Sequence, residues 1–112
     1  MNIREAAEAL GAEIIQNEFK DSPLEGAYTS DLLSDVMAHS KEGGALITIQ
    51  AHKNTVAVAT LVNISAIIIC NSRPIPDDMI AAAKEEGVAI LRTKENQFTV
   101  SGKLYGLLLS QH

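Results

Sequence analysis

Two short polar clusters, His52-Lys53-Asn54 and Asn71-Ser72-Arg73, hold most of the chemistry this sequence offers. The first follows the β-rich run Ala45-Leu46-Ile47-Thr48-Ile49, and the second follows the apolar run Ala66-Ile67-Ile68-Ile69-Cys70. Where a strand ends and a helix opens, free backbone N–H groups and the helix dipole favour an anion, and Lys53 adds a full charge. Open α/β sheets bind ligands in the loops at the carboxyl ends of their strands. Together the triplets therefore predict a single pocket for a small anion of the adenine nucleotide class. The plainer account makes Asn54 a helix cap and Asn71-Ser72 a turn, and on residue chemistry alone it is the stronger. No Walker-type or dinucleotide glycine pattern shifts that balance.

Cys70 would serve as a nucleophile only if Arg73 or His52 held its thiolate. At the end of an isoleucine run it reads instead as a buried small hydrophobe. A small enzyme using Cys70 or His52 is the alternative of a different class, but nothing in the sequence pairs a nucleophile with an oriented base, so no catalytic residues are expected. His39, His52 and His112 share no short ligand spacing, and with a single cysteine they would need carboxylates assembled from afar, so neither a metal nor another cofactor is expected. Asp31 and Asp35 lie one helical turn apart and read as acids explained by the helix dipole and solvent. Asp77-Asp78 and Glu85-Glu86 read as a first-turn preference and a solvated face.

Length and charge bound what these residues can be part of. The chain has 112 residues, 46% of them apolar, with 9 Lys and Arg against 14 Asp and Glu for a net charge of −5. A chain of this size buries enough surface to fold without staples, and a single domain over residues 1–112 is expected. The lone Cys70 excludes a disulfide framework and suits a reducing compartment. The amino terminus lacks the apolar core of a signal peptide, and Thr60, Asn63 and Ser65 interrupt the longest apolar stretch. The expectation is a soluble cytoplasmic chain without a membrane span. An acidic balance, no Trp and few other aromatics argue against nucleic acid.

Helical periodicity marks Ile3 to Leu10, with Gly11 placed to end it. Ala12 to Ile15 reads as a brief strand and Gln16 to Glu25 as a loop. Thr29 or Ser30 can cap a helix with Asp31 in its first turn and a stripe of Leu32, Leu33, Val36 and Met37. Ala45 to Ile49 reads as a strand, and Ala66 to Cys70, apolar on both faces, as a central strand covered by helices on both sides. Between them, Asn54 to Ile64 fits strand and helix patterns equally. Asp77 to Lys84, with Pro before it and Gly87 after it, is a helix. Val88 to Leu91 is a strand, and Asn96 caps a last helix with Val100, Leu104, Leu107 and Leu108 inward. Alternating strands and helices predict a three-layer α/β/α domain around a small, mostly parallel sheet. The apolar run Leu104 to Leu109 exceeds one core stripe, and the surplus suits a homodimer.

Several segments resemble the DRTGG domain family: Gly26 to Met37, Ile47 to Asn54, Ile67 to Ser72, and Val88 to Thr93 through Gly102 to Tyr105. The chain is similar in the same way to the amino-terminal domain of HPr kinase/phosphorylase, and more distantly to those of Mur ligases. The resemblance implies a helix over Asn54 to Asn63 and a non-catalytic regulatory or protein-interaction module, dimeric, with hydrogenase or other redox-complex subunits as candidate partners. The naming motif itself is absent. His52-Lys53 stands where the family has Asp-Arg, and Cys70-Asn71-Ser72 where it has Thr-Gly-Gly. The resemblance thus carries the fold and no ligand site.

Overall fold

In the computed structural model, which describes residues 1–111, the chain runs α1 (Ile3–Leu10), β1 (Glu13–Gln16), β2 (Ala27–Thr29), α2 (Leu33–His39), β3 (Ala45–Thr48), α3 (Lys53–Leu61), β4 (Ala66–Ile69), α4 (Asp77–Glu86), β5 (Ala89–Arg92) and α5 (Gln97–Leu109). One five-stranded sheet has the order β1-β5-β4-β3-β2. β2 to β5 are mutually parallel, and β1 lies antiparallel on β5 with a register slip between Ile14 and Gln16. The expected mostly parallel α/β/α architecture is present, with β4 at its centre as its two-sided apolar character requires.

Strand alternation decides which helix each residue meets. Ile67 and Ile69 of β4 pack with Val36 of α2, Val56 of α3 and Met79 of α4, while Ile68 and Cys70 pack with Ala6 of α1 and Val100 of α5. From β2 to β5 the chain steps across the sheet in one direction, so crossovers of one hand put α2, α3 and α4 on the same face. After β5 the chain crosses to the other face to form α5.

Local signals explain most boundaries. Gly11 and Gly87 take left-handed φ of 63° and 69° and end α1 and α4. Asn96 caps α5, its Oδ1 accepting from Thr99 N at 2.9 Å. The stretch that fitted two patterns is the helix α3.

The second helix differs from expectation. Ala27-Tyr28-Thr29 is a strand, so Thr29 is not a cap, α2 begins at Leu33, and Asp31 lies outside its first turn. Of the expected stripe only Val36 is buried, and Leu32 and Met37 are exposed. Tyr28 and Thr29 favour extended backbone, and beside β3 this triplet gains more by completing the sheet edge than by lengthening a helix. Gly44, just before β3, sits so close to Gly26 that a Cβ would fall 2.8 Å from the Gly26 carbonyl oxygen, which leaves room for no other residue.

Candidate ligand site

The carboxyl ends of β2 to β5 open at one end of the sheet, where four loops gather every residue the sequence singled out as a binding group. His52, not Asn54, caps α3: its Nδ1 accepts from Asn54 N at 3.1 Å. A His ring precedes the first helical turn because Ala51 and His52 are drawn into a tight bend, with Ala51 N donating to Ile49 O and His52 N to Gln50 O. Lys53 and Asn54 are the first residues of α3, and both are exposed.

Asn71 and Ser72 form the expected turn at left-handed φ of 61° and 50°. Their N–H groups donate to Glu95 O at 3.0 Å and Thr93 O at 2.9 Å. The β4–α4 loop is therefore laced to the β5–α5 loop. This is the point where successive helices leave to opposite faces, the place at which open α/β sheets form a crevice. A polar groove of about 750 Å³ at this end is lined by Ser72, Thr93, Lys94 and Lys103 among others, and not by the α3 triplet. The two triplets thus share an end of the sheet, since β3 and β4 are neighbours and Cys70 N donates to Thr48 O, but no hydrogen bond joins them.

Asp31 is the residue that sequence reasoning missed. Its Oδ1 accepts from Thr48 Oγ1 at 2.8 Å, Ile49 N at 2.9 Å and Gln97 Nε2 at 3.0 Å. One oxygen therefore ties the β2–α2 loop, the end of β3 and the start of α5. Burial pushes this carboxyl up, but the bonds from Ile49, Thr48 and Gln97 and the charge of Arg73 outweigh it and hold the pKa below the ordinary 3.8. The available signal was its place two residues after the triplet Ala27-Tyr28-Thr29, in the loop that follows a strand.

Asp35 does fall in the first turn of α2, and it accepts from Tyr28 Oη at 2.7 Å as well as contacting His39 Nδ1 at 3.1 Å. The Tyr28 bond is the main cause of its lowered pKa. Cys70 is fully buried, and burial, aided by the charge of Asp31, raises its thiol to about 11. At neutral pH it holds its proton and cannot attack. Among the described residues no group of His, Cys, Asp and Glu could hold a metal ion, and His112 lies outside them.

A second concavity is apolar. About 610 Å³ in volume, it runs between β2 and α5 and is lined by Ala27, Thr29, Ile47, Phe98, Tyr105 and Leu109 among others. Phe98, Tyr105 and Leu109 are 88%, 70% and 60% exposed, so the surplus apolar surface expected on the last helix is present. Thr29 Oγ1 and Ser101 Oγ, 2.7 Å apart, pin α5 beside the strand.

The family model of the DRTGG domain matches residues 5–107. The chain belongs to the DRTGG domain family. Over 39 residues it is 44% identical to HPr kinase/phosphorylase of Streptococcus uberis, a stretch that covers 35% of this chain and 13% of the kinase. The CBS and DRTGG domains of the regulatory region of Clostridium perfringens pyrophosphatase, solved in complex with the activator diadenosine tetraphosphate, are similar at a TM-score of 0.70 and 18% identity. That match covers 89% of this DRTGG chain and 44% of the pyrophosphatase chain. At this identity the likeness establishes the fold. The positions of the missing naming motif, His52-Lys53 and Cys70-Asn71-Ser72, fall in the β3–α3 and β4–α4 loops.

Proposed function

We propose that this DRTGG domain is a non-catalytic regulatory module that takes a small anionic ligand of the adenine nucleotide class at the carboxyl end of its sheet and acts as a homodimer within a larger assembly. The carrying observation is the pair of exposed cations, Lys53 at the first position of α3 and Arg73 after the β4 turn, which leave adjacent strands with no ion pair among the described residues. The positive end of the α3 dipole lies beside Lys53, although the N–H groups of Asn54 and Thr55 are already taken by His52. In this reading His52 and Asn54 shape the helix start, Asn71 and Ser72 set the turn, and Lys53 and Arg73 meet the phosphate charge. Support also comes from the pyrophosphatase regulatory region, in which a DRTGG domain occurs beside CBS domains in an activator complex. The enzyme alternative loses its nucleophile to the burial of Cys70 and its base to the capping role of His52.

No helix among the described residues is long and apolar enough to cross a membrane. The free thiol fits the reducing cytoplasm, where hydrogenase or electron-transfer subunits would be the larger assembly that the resemblance suggests.

Thermal unfolding against adenine and guanine nucleotides and inorganic phosphate tests the ligand. At about a hundred times its dissociation constant a ligand adds ~2.7 kcal/mol, and each kcal/mol moves the midpoint of a domain near this size by roughly 4–8 °C. The expected result is a shift that Lys53→Ala or Arg73→Ala abolishes, each judged against that variant's own unliganded midpoint. A flat panel, or a shift indifferent to both substitutions, rejects the site.

A further inference from the structure

The edges of the sheet, β1 and β2, are built differently. β1 carries the register slip, and its Glu13 pairs with Arg92 of β5 at 3.3 Å. A bulge and charge are the devices by which edge strands avoid pairing with other chains. β2 has neither: Ala27-Tyr28-Thr29 pairs in regular register with β3 and holds no charge or proline. Gly26 O accepts from Ala45 N, and Ser30 N donates to Ile47 O. By strand alternation, the N–H and C=O groups of Tyr28 also face β3 and those of Ala27 and Thr29 face outward. Both outward residues are exposed. Directly beside this open edge lies the apolar groove walled by Phe98, Tyr105 and Leu109 of α5.

We propose that the open β2 edge and the adjoining α5 face dock a second copy of this chain. The β2 strands pair antiparallel about a two-fold axis, and the α5 helices lie side by side over the join. The inference rests on the self-association proposed above and gives it a surface. Self-complementarity argues for this occupant. A strand paired antiparallel with its own copy sets Ala27 of one copy opposite Thr29 of the other, the arrangement in which residues exchange both backbone bonds. The same axis brings both α5 helices to one side of the joined sheet, where the exposed rings meet. Area argues for it too. Phe98, Tyr105 and Leu109 together expose on the order of 400 Å² of apolar surface. That is about half of the ~800 Å² each partner gives to a stable interface, and the groove walls and strand edge supply the rest.

Sedimentation and amide hydrogen exchange of the full chain at micromolar concentration test the inference. The expected species is a dimer in which the Ala27 and Thr29 amides are protected and become fast-exchanging on dilution to monomer. Tyr105→Lys and Phe98→Glu change exposed positions and leave the core untouched, so the circular dichroism spectrum should be unaltered. Each should raise the dissociation constant roughly tenfold or more, as loss of a central aromatic anchor does. A chain that stays monomeric overturns both the surface and the self-association. A dimer whose Ala27 and Thr29 amides exchange freely, or that is indifferent to Tyr105→Lys, overturns the surface and leaves self-association standing.

Discussion

Asp31 joins segments far apart in sequence through a single carboxylate oxygen, and its charge strengthens each bond it accepts. Asp31→Asn keeps the shape and an acceptor oxygen but removes the charge, so at neutral pH it should cost about 1–2 kcal/mol. The sign of the pH effect follows from the lowered pKa. A carboxyl with a folded-state pKa below its unfolded one contributes in full above the unfolded value, and the contribution is lost as pH falls through the folded one. Thermal midpoints of wild type and Asp31→Asn should therefore differ most near neutrality and converge as pH drops below 3.8, the ordinary value of the group. A gap that stays constant over that range would mean that the charge contributes nothing.

Among the elements, α4 shows how local sequence and geometry agree. Asp77 and Asp78 open it, Lys84 lies in its last turn, and Gly87 closes it in the left-handed region. A Cβ at Gly87 would touch nothing within 4 Å, so Gly87→Ala should cost only the strain of its positive φ, about 1 kcal/mol, read as a lower midpoint in urea at unchanged slope. The helix α2 is the opposite case. It is seven residues long, buries only Val36 and starts later than its periodicity suggests, because the residues ahead of it serve the sheet. Its apolar stripe resembled that of a core helix, yet Leu32 and Met37 face away from the core.

In the whole molecule, β4 is the seam between two apolar layers. Its residues are fully buried, and both neighbouring strands pair with it along its length. The amides of Ile67, Ile68 and Ile69 should exchange only through global unfolding, whereas those of α2 should exchange through local opening, a difference that native-state hydrogen exchange reads directly. Equal protection in the two elements would show that α2 unfolds only together with the core.

Much of this arrangement was legible in the sequence. The run Ala66 to Cys70 had the two-sided apolar character of a strand covered on both faces, glycines closed α1 and α4, and Asn96 opened α5, because each of these signals is local and acts within a few residues. The identity of α3 needed the family resemblance, since short apolar runs fit either period. The candidate site was legible only in part. The sequence placed His52 to Asn54 and Asn71 to Arg73 after strands and so at one end of the sheet, but which residue caps α3, and that Asn71 and Ser72 would be laced to the β5–α5 loop, depend on partners distant along the chain. For Asp31 the neighbouring triplet Ala27-Tyr28-Thr29 could mark a strand end, but its bonds could not be read, because its donors Thr48, Ile49 and Gln97 come together only when β2 takes its place at the edge. Sequence by itself determined the elements whose signals are local. Tertiary structure alone decided the sheet edges, the cap of α3 and the bonds of Asp31, because each is a contact between segments whose spacing carries no periodic trace.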